Sequence, residues 1–316
     1  MSMELPTGTL LFNTLKSLRI SGGFISPSPR TRFQISGADR TRYLNSQLSN
    51  DLRKIVKGMA LPACLLTPKG KMCALVWAFE QKDNWIIDAD SKICTALRNR
   101  LERYIIADDV QVEDISDTGI LFHVFGEAAS AITLSEKIHA SRIGFAGIDI
   151  WISNDQIDAF YKKLLHLGIF EATPHLSEPL RIAQGIPAWG SDISEETLPA
   201  EAGLDRFAVD FAKGCYVGQE IVSRIRSVGR VNRHLAGFVA ESPEAVLSPS
   251  LKIIDPTSKA SVGTLTSTAF HFELSRAVAM GYLKTGITSE ILLAVHPKSG
   301  EETPLRVHEF PLSVSS

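Results

Sequence analysis

Helical periodicity fades after about residue 235. Beyond it, Leu235–Ala240, Leu251–Ile254, Ser261–Thr266, Ala277–Leu283 and Ile291–Val295 are short apolar runs separated by Gly, Pro and Ser, the texture of a small all-β barrel. Upstream the grammar differs and occurs twice. In the first block, Arg32–Ile35 reads as a strand and Ser36-Gly37-Ala38-Asp39 opens a helix that buries Tyr43, Leu44 and Leu48. Strand-like Leu61–Leu66, Met72–Phe79 and Trp85–Ala89 follow, separated by Pro68-Lys69-Gly70 and Asp83-Asn84. A helix with Leu97, Leu101, Tyr104 and Ile105 on one face and a strand at Asp109–Ile115 close the block. The second block reads as strand (Ile120–Phe125), helix (Ala128–Ile138), strand (Phe145–Ile152) and helix (Asp155–Leu167). The pattern predicts an α+β chain with modules over 1–116 and 117–234 and a barrel over 235–316, not the regular βαβ alternation of a parallel sheet.

The 316 residues are 44% hydrophobic, enough for several cores, which excludes a disordered chain. A net charge of −2 excludes a globally basic nucleic-acid coat. The Gly-rich phosphate loops of dinucleotide- and triphosphate-binding proteins are missing. With no apolar run of membrane-spanning length and no export-type N-terminus, the expectation is an unexported chain without a membrane partner. Cys64, Cys73, Cys94 and Cys215 lack the close spacing of a zinc site or disulfide framework, and the scattered histidines suggest no metal. The first three have apolar neighbours and are expected to pack.

Lys213-Gly214-Cys215-Tyr216-Val217-Gly218-Gln219-Glu220-Ile221-Val222-Ser223-Arg224 is the densest stretch. Its glycines permit a tight path and Gln219 onward reads as a helix start, which places Cys215 just before a helix N-terminus. Lys213 and the helix dipole would favour thiolate there, so Cys215 is the candidate reactive atom, against the alternative of an inert buried thiol. Residues 213–234 hold five Lys or Arg (213, 224, 226, 230, 233) against Glu220 alone, a local charge of +4. This is either an anion site, for a carboxylate tail, a phosphate or RNA, or a solvated helix face. Asp39 reads as a helix-dipole partner, while Asn50-Asp51 either cap a helix or reach a ligand.

The octapeptide Lys213 to Glu220 resembles the signature of the YgfZ family, folate-binding proteins of iron–sulfur cluster assembly related to the glycine-cleavage T-protein, an aminomethyltransferase. Similarity extends from about 30 to 285, through Ile35–Asp39, Gln47, Asn50-Asp51, Thr67–Met72, Leu180–Ile182, Glu201–Leu204 and Val262–Thr264. The resemblance implies a three-domain T-protein-like ring, two interleaved ferredoxin-like α+β domains plus a C-terminal β-barrel, around a channel. Tetrahydrofolate, or a one-carbon derivative, would lie there facing the Cys215 loop. By the same resemblance Cys215 and Lys213 carry the chemistry; Gly214, Tyr216, Gly218, Gln219, Glu220 and Arg224 complete the motif; Asn50, Asp51, Arg181, Gln184, Arg226 and Arg230 bind the folate. The implied function is an accessory factor for cluster assembly or repair. Its partners would be iron–sulfur assembly proteins and cluster-containing client enzymes, tRNA-modifying ones among them, in a bacterial cytoplasm or a mitochondrial matrix. The alternative is a folate-dependent aminomethyltransferase or methyltransferase. Against it, Cys73-Ala74 stand where the T-protein hairpin carries aspartates; separately, Ala183 stands where a carboxylate would meet the pterin, which bears on how folate is held, with Gln184 as a partial substitute.

Overall fold

The computed structural model describes residues 17–312 except 19, 28, 135, 136 and 228. Strand β1 (Gly23–Ile25) precedes the first block, which holds β2 (Arg30–Ser36), α1 (Arg40–Gln47), β3 (Leu61–Leu66), β4 (Met72–Gln81), β5 (Asn84–Asp90), α2 (Cys94–Glu102) and β6 (Gln111–Asp114). Its five strands form one antiparallel sheet in the order β3-β4-β5-β2-β6. Ala63, Leu65, Ala74, Val76 and Ala78 face Tyr43 and Leu44 of α1 and Leu97 and Leu101 of α2 in one core. The opposite face carries Cys64, Leu66 and Met72, packed under residues 193–222. Burial on both faces is why β3 and β4 read as nearly continuous apolar runs.

The second sheet, β1-β7-β9-β8, comes from β7 (Gly119–Phe125), β8 (Ile138–Ala140) and β9 (Gly147–Ser153), and takes β1 from upstream of the first block. Helix α3 (Ile157–His166) packs Phe160 and Leu164 against it. A buried ionic chain joins the sheets. Arg30 donates to Asp88 on β5 at 2.7 Å, Arg142 lies between Asp88 (2.5 Å) and Asp149 on β9 (2.6 Å), and His123 Nδ1 is 2.8 Å from Asp149. Removing any one of these charges would leave an opposite charge buried and unbalanced.

Helices α4 (Pro174–Gln184) and α5 (Gln219–Ser227) lead to the closed barrel, β10-β13-β12-β11-β14-β15, formed by β10 (Arg233–Ala240), β11 (Lys252–Ile254), β12 (Ser261–His271), β13 (Arg276–Lys284), β14 (Ile291–Val295) and β15 (Glu302–His308). Phe238, Ile253, Leu265, Ala279, Leu292 and Leu305 fill it. Ile182 of α4 packs on Val278 and Met280 outside the barrel, fastening it to the rest.

The α+β architecture and the barrel agree with the sequence reading; two local elements do not. The helix expected at Ala128–Ile138 is a 3-10 stretch, Gly126–Ala131, followed by residues 132–134 without regular structure, and Ile138 belongs to β8; 135 and 136 lie outside the described residues. Ala128, Ala129, Ile132 and Leu134 still pack on the second core, so their apolar spacing marked burial without an α-helix. Secondly, Leu65 pairs with Ala74 but Leu66 with Met72, leaving Cys73 as an extra residue in β4. This bulge turns Cys73, like Ala74, toward the core under α1 and α2.

Candidate functional site

A cavity of about 1340 Å³ opens where the two sheets meet α4. Pro62, Leu75 and Trp77 line it from the first sheet, Gly147 and Ile148 from the second, and Trp189 and Phe207 from the segment between α4 and α5. Leu75 and Trp77 are the positions of β4 that face it, and neither carries a group able to move a proton. The carboxylate positions read from the sequence, Cys73-Ala74, do not face the cavity, because the bulge rotates Cys73 away.

One end of the cavity is polar and rigid. Arg181 donates from Nη1 to Asp192 at 2.8 Å and from Nη2 to Ser267 on β12 at 3.0 Å, while its Nε and Nη2 hold the Glu178 carboxylate at 3.0 and 2.7 Å. Asp192 is in turn held by Thr266 (2.5 Å), Ser267 (2.7 Å) and the Ala188 N–H (2.9 Å). Glu178, 46% exposed, is thus a positioned acceptor backed by a buried network anchored on the barrel. Lys57, Lys137 and His139 also line the cavity and have no acidic side chain within ion-pair distance among the described residues. The two segments that carry them are joined at His139, whose N–H donates to the Gly58 carbonyl at 2.7 Å and whose carbonyl accepts from the Ala60 N–H at 2.8 Å.

The signature loop lies on the same face of the first sheet, displaced toward the β3–β4 turn. Lys213 is buried, and its ammonium donates to the carbonyls of Leu48 (2.6 Å), Asn45 (2.7 Å) and Asn50 (2.9 Å) at the end of α1. Burial lowers its pKa to about 8. Gly218 has φ +87°, and a Cβ there would sit 2.6 Å from the Thr67 carbonyl; a Cβ on Gly70 would meet Ile221 at 2.8 Å. Gly218 lets the loop touch the backbone of the turn, and Gly70 leaves room for the Ile221 side chain. Tyr216 and Val222 anchor the loop in the core beneath. Gly214 and Cys215 are exposed, Gln219 and Glu220 open α5, and Arg224 is exposed on it without an acidic partner among the described residues.

The geometry places the expected site residues in different surroundings. None of residues 213–220 lines the cavity. Lys213 serves helix carbonyls and not the thiol. Asn50 donates to Pro62 (3.0 Å) and Phe207 (3.2 Å), backing two cavity-lining residues without lining the wall itself. Asp51 is buried against Arg53 at 2.8 Å, and Gln184 packs over Gly144. Arg226 and Arg230 line a separate, smaller recess. Of the six residues assigned to folate, Arg181 alone lines the large cavity. Glu178, Trp77, Lys57, Lys137 and His139 were missed; Glu178 and Arg181, three apart on one helix, offered the one visible signal.

Two α+β units with a cavity between them and a closed barrel make a fold shared with a solved glycine-cleavage aminomethyltransferase. The crystal structure of aminomethyltransferase T from Bartonella henselae matches with a TM-score of 0.81, covering 95% of this chain and 89% of that one at 18% identity. In sequence the chain is 26% identical to a putative chloroplastic transferase of Arabidopsis thaliana over 86% of this chain and 72% of that protein. It is 26% identical to the mitochondrial iron–sulfur cluster assembly factor IBA57 homologue of Mycosarcoma maydis, over 71% of this chain but 58% of that protein's length. An aminomethyltransferase of Stenotrophomonas maltophilia is 24% identical over 93% of this chain and 85% of its own. No family model matches. These matches agree with the resemblance: in fold the chain is similar to a glycine-cleavage aminomethyltransferase, and in sequence to aminomethyltransferases and to an iron–sulfur cluster assembly factor.

Proposed function

We propose that this chain is a folate-binding accessory factor for iron–sulfur cluster assembly or repair, with cluster enzymes, tRNA-modifying ones included, as its clients. The observation that carries the reading is the large cavity, whose chemistry suits a folate at both ends. A pterin ring is flat and presents N–H donors on one edge; Trp77 and Trp189 supply aromatic walls, and Glu178, held by Arg181, supplies the acceptor in place of the carboxylate absent at Ala183. Folate's glutamate tail needs cations, which Lys57 and Lys137 provide in place of Arg226 and Arg230, with His139 beside them as a hydrogen-bonding group. When bound, the folate carries one-carbon units. Trp77, Trp189 and Phe207 shield it from water, Glu178 orients it, and no acid on the β4 wall moves a proton at it.

The Mycosarcoma maydis relative supports the cluster-assembly role. Cys215, exposed and outside the cavity, is the residue available to a client surface. Calorimetric titration with tetrahydrofolate should show binding that Glu178→Gln weakens about tenfold, the loss of one charged hydrogen-bond acceptor. In a deletion strain, Cys215→Ala should fail to restore cluster-enzyme activity. Absence of folate binding would overturn the ligand, and full activity of the Cys215 variant would overturn the thiol's role. The second reading, aminomethyl transfer, rests on the aminomethyltransferase relatives and requires turnover of tetrahydrofolate with an aminomethyl donor. With Leu75 and Trp77 on the wall, no such turnover is expected.

A further inference from the structure

A recess of about 330 Å³ lies between α5 and the start of the barrel and shares no residue with the large cavity. Val222, Ile225 and Val231 make it apolar, and Phe211 adds an aromatic wall. Arg226 lays its guanidinium 3.9 Å from the centroid of the Phe211 ring. Arg230 and His234 line the same space, with Asp205 as its acid. Neither Arg226 nor Arg230 has an acidic side chain within ion-pair distance among the described residues. Arg233, by contrast, pairs with Glu201 at 3.2 Å and covers Tyr282. Of the five cations in the +4 segment, Arg233 is paired internally, Lys213 is held by carbonyls, Arg224 lies exposed on α5, and Arg226 and Arg230 stand at a walled recess.

A guanidinium already stacked on a ring is pre-oriented, and its N–H edges stay free for oxyanions. An inorganic anion needs no aromatic wall or apolar lining. A nucleotide uses all of these: its base stacks, its phosphate takes the arginine, and a carboxylate accepts from base N–H groups. The volume, at the low end of small-ligand pockets (roughly 300–1,000 Å³), matches one such unit. We propose that this recess binds a nucleoside phosphate, with the base on the Phe211–Arg226 platform and the phosphate on Arg230 and His234.

The test is titration of the full chain with the four ribonucleoside monophosphates, inorganic phosphate and a short single-stranded oligoribonucleotide, using wild type, Arg230→Ala and Phe211→Leu. At least one monophosphate should bind about tenfold or more tightly than inorganic phosphate. Arg230→Ala should weaken it about tenfold, and Phe211→Leu should erase the advantage over phosphate, with tetrahydrofolate titrations unchanged in both variants. A tighter, more steeply salt-dependent oligonucleotide would identify the source as RNA; equal affinity would identify a free nucleotide. Inorganic phosphate binding as well as every nucleotide, or nucleotide affinity unchanged in both variants, would overturn the proposal. Either result leaves the folate reading of the separate cavity untouched.

Discussion

The Lys213 ammonium donates to the Leu48 carbonyl across 2.6 Å, tying the signature loop to the end of α1. Asn45 and Asn50 offer their carbonyls to the same nitrogen, so Lys213→Met should leave three of these oxygens without that donor. The expected loss is about 2–4 kcal/mol by urea denaturation, from buried acceptors left unsatisfied. Hydrogen exchange should speed up at the Val217 amide, which bonds Ser46 across the same joint, before it does in the barrel.

Gly218→Ala should cost about 2 kcal/mol or more, because a Cβ 2.6 Å from the Thr67 carbonyl cannot be relieved by rotating a side chain and the backbone is left-handed there. Ala at Gly214, where nothing stands within 4 Å of the added carbon, should change stability by less than about 0.5 kcal/mol. Equal melting-temperature shifts for the two variants would contradict the contact.

Arg53, by hydrogen bonding to the Asp51 carboxylate, holds its pKa down at about 2, below the ordinary 3.8. The depressed value means that folding favours the ionised form. The stabilisation is fully present above about pH 4 and is lost as pH falls through about 2. Asp51→Asn should destabilise the chain by about 1 kcal/mol at pH 7, the exposed Arg53 partner being screened by solvent, and the difference from wild type should shrink toward pH 2 in denaturant titrations.

Burial pushes the Cys64 thiol up to about 12 and raises Cys73 as well, whereas Cys215 is exposed. Iodoacetamide on the native chain near pH 8 should therefore modify Cys215 first and leave Cys64 unmodified until the protein is unfolded. Peptide mass spectrometry of a time course reads this directly. Tetrahydrofolate should leave the Cys215 rate unchanged, since residues 213–220 do not line the large cavity.

What sequence alone determined was carried by local periodicity and local sterics. Alternating apolar runs after residue 235 meant a barrel because period-two burial is written in each strand, and the first block's strands and helices followed in the same way. Gly218 and the run from Lys213 to Glu220 marked a tight, specialised loop for similar local reasons. Tertiary structure alone decided where that loop points. Lys213 sits two residues from Cys215, yet its ammonium turns inward to carbonyls that end a helix more than 160 residues upstream. A one-residue bulge exchanged Cys73 for Leu75 and Trp77 on the cavity wall, a change that composition cannot reveal. The cavity joins Lys57, Trp77, His139, Glu178 and Phe207 from distant parts of the chain. Convergence of such residues depends on how two sheets and α4 pack, and no spacing along the sequence encodes that packing.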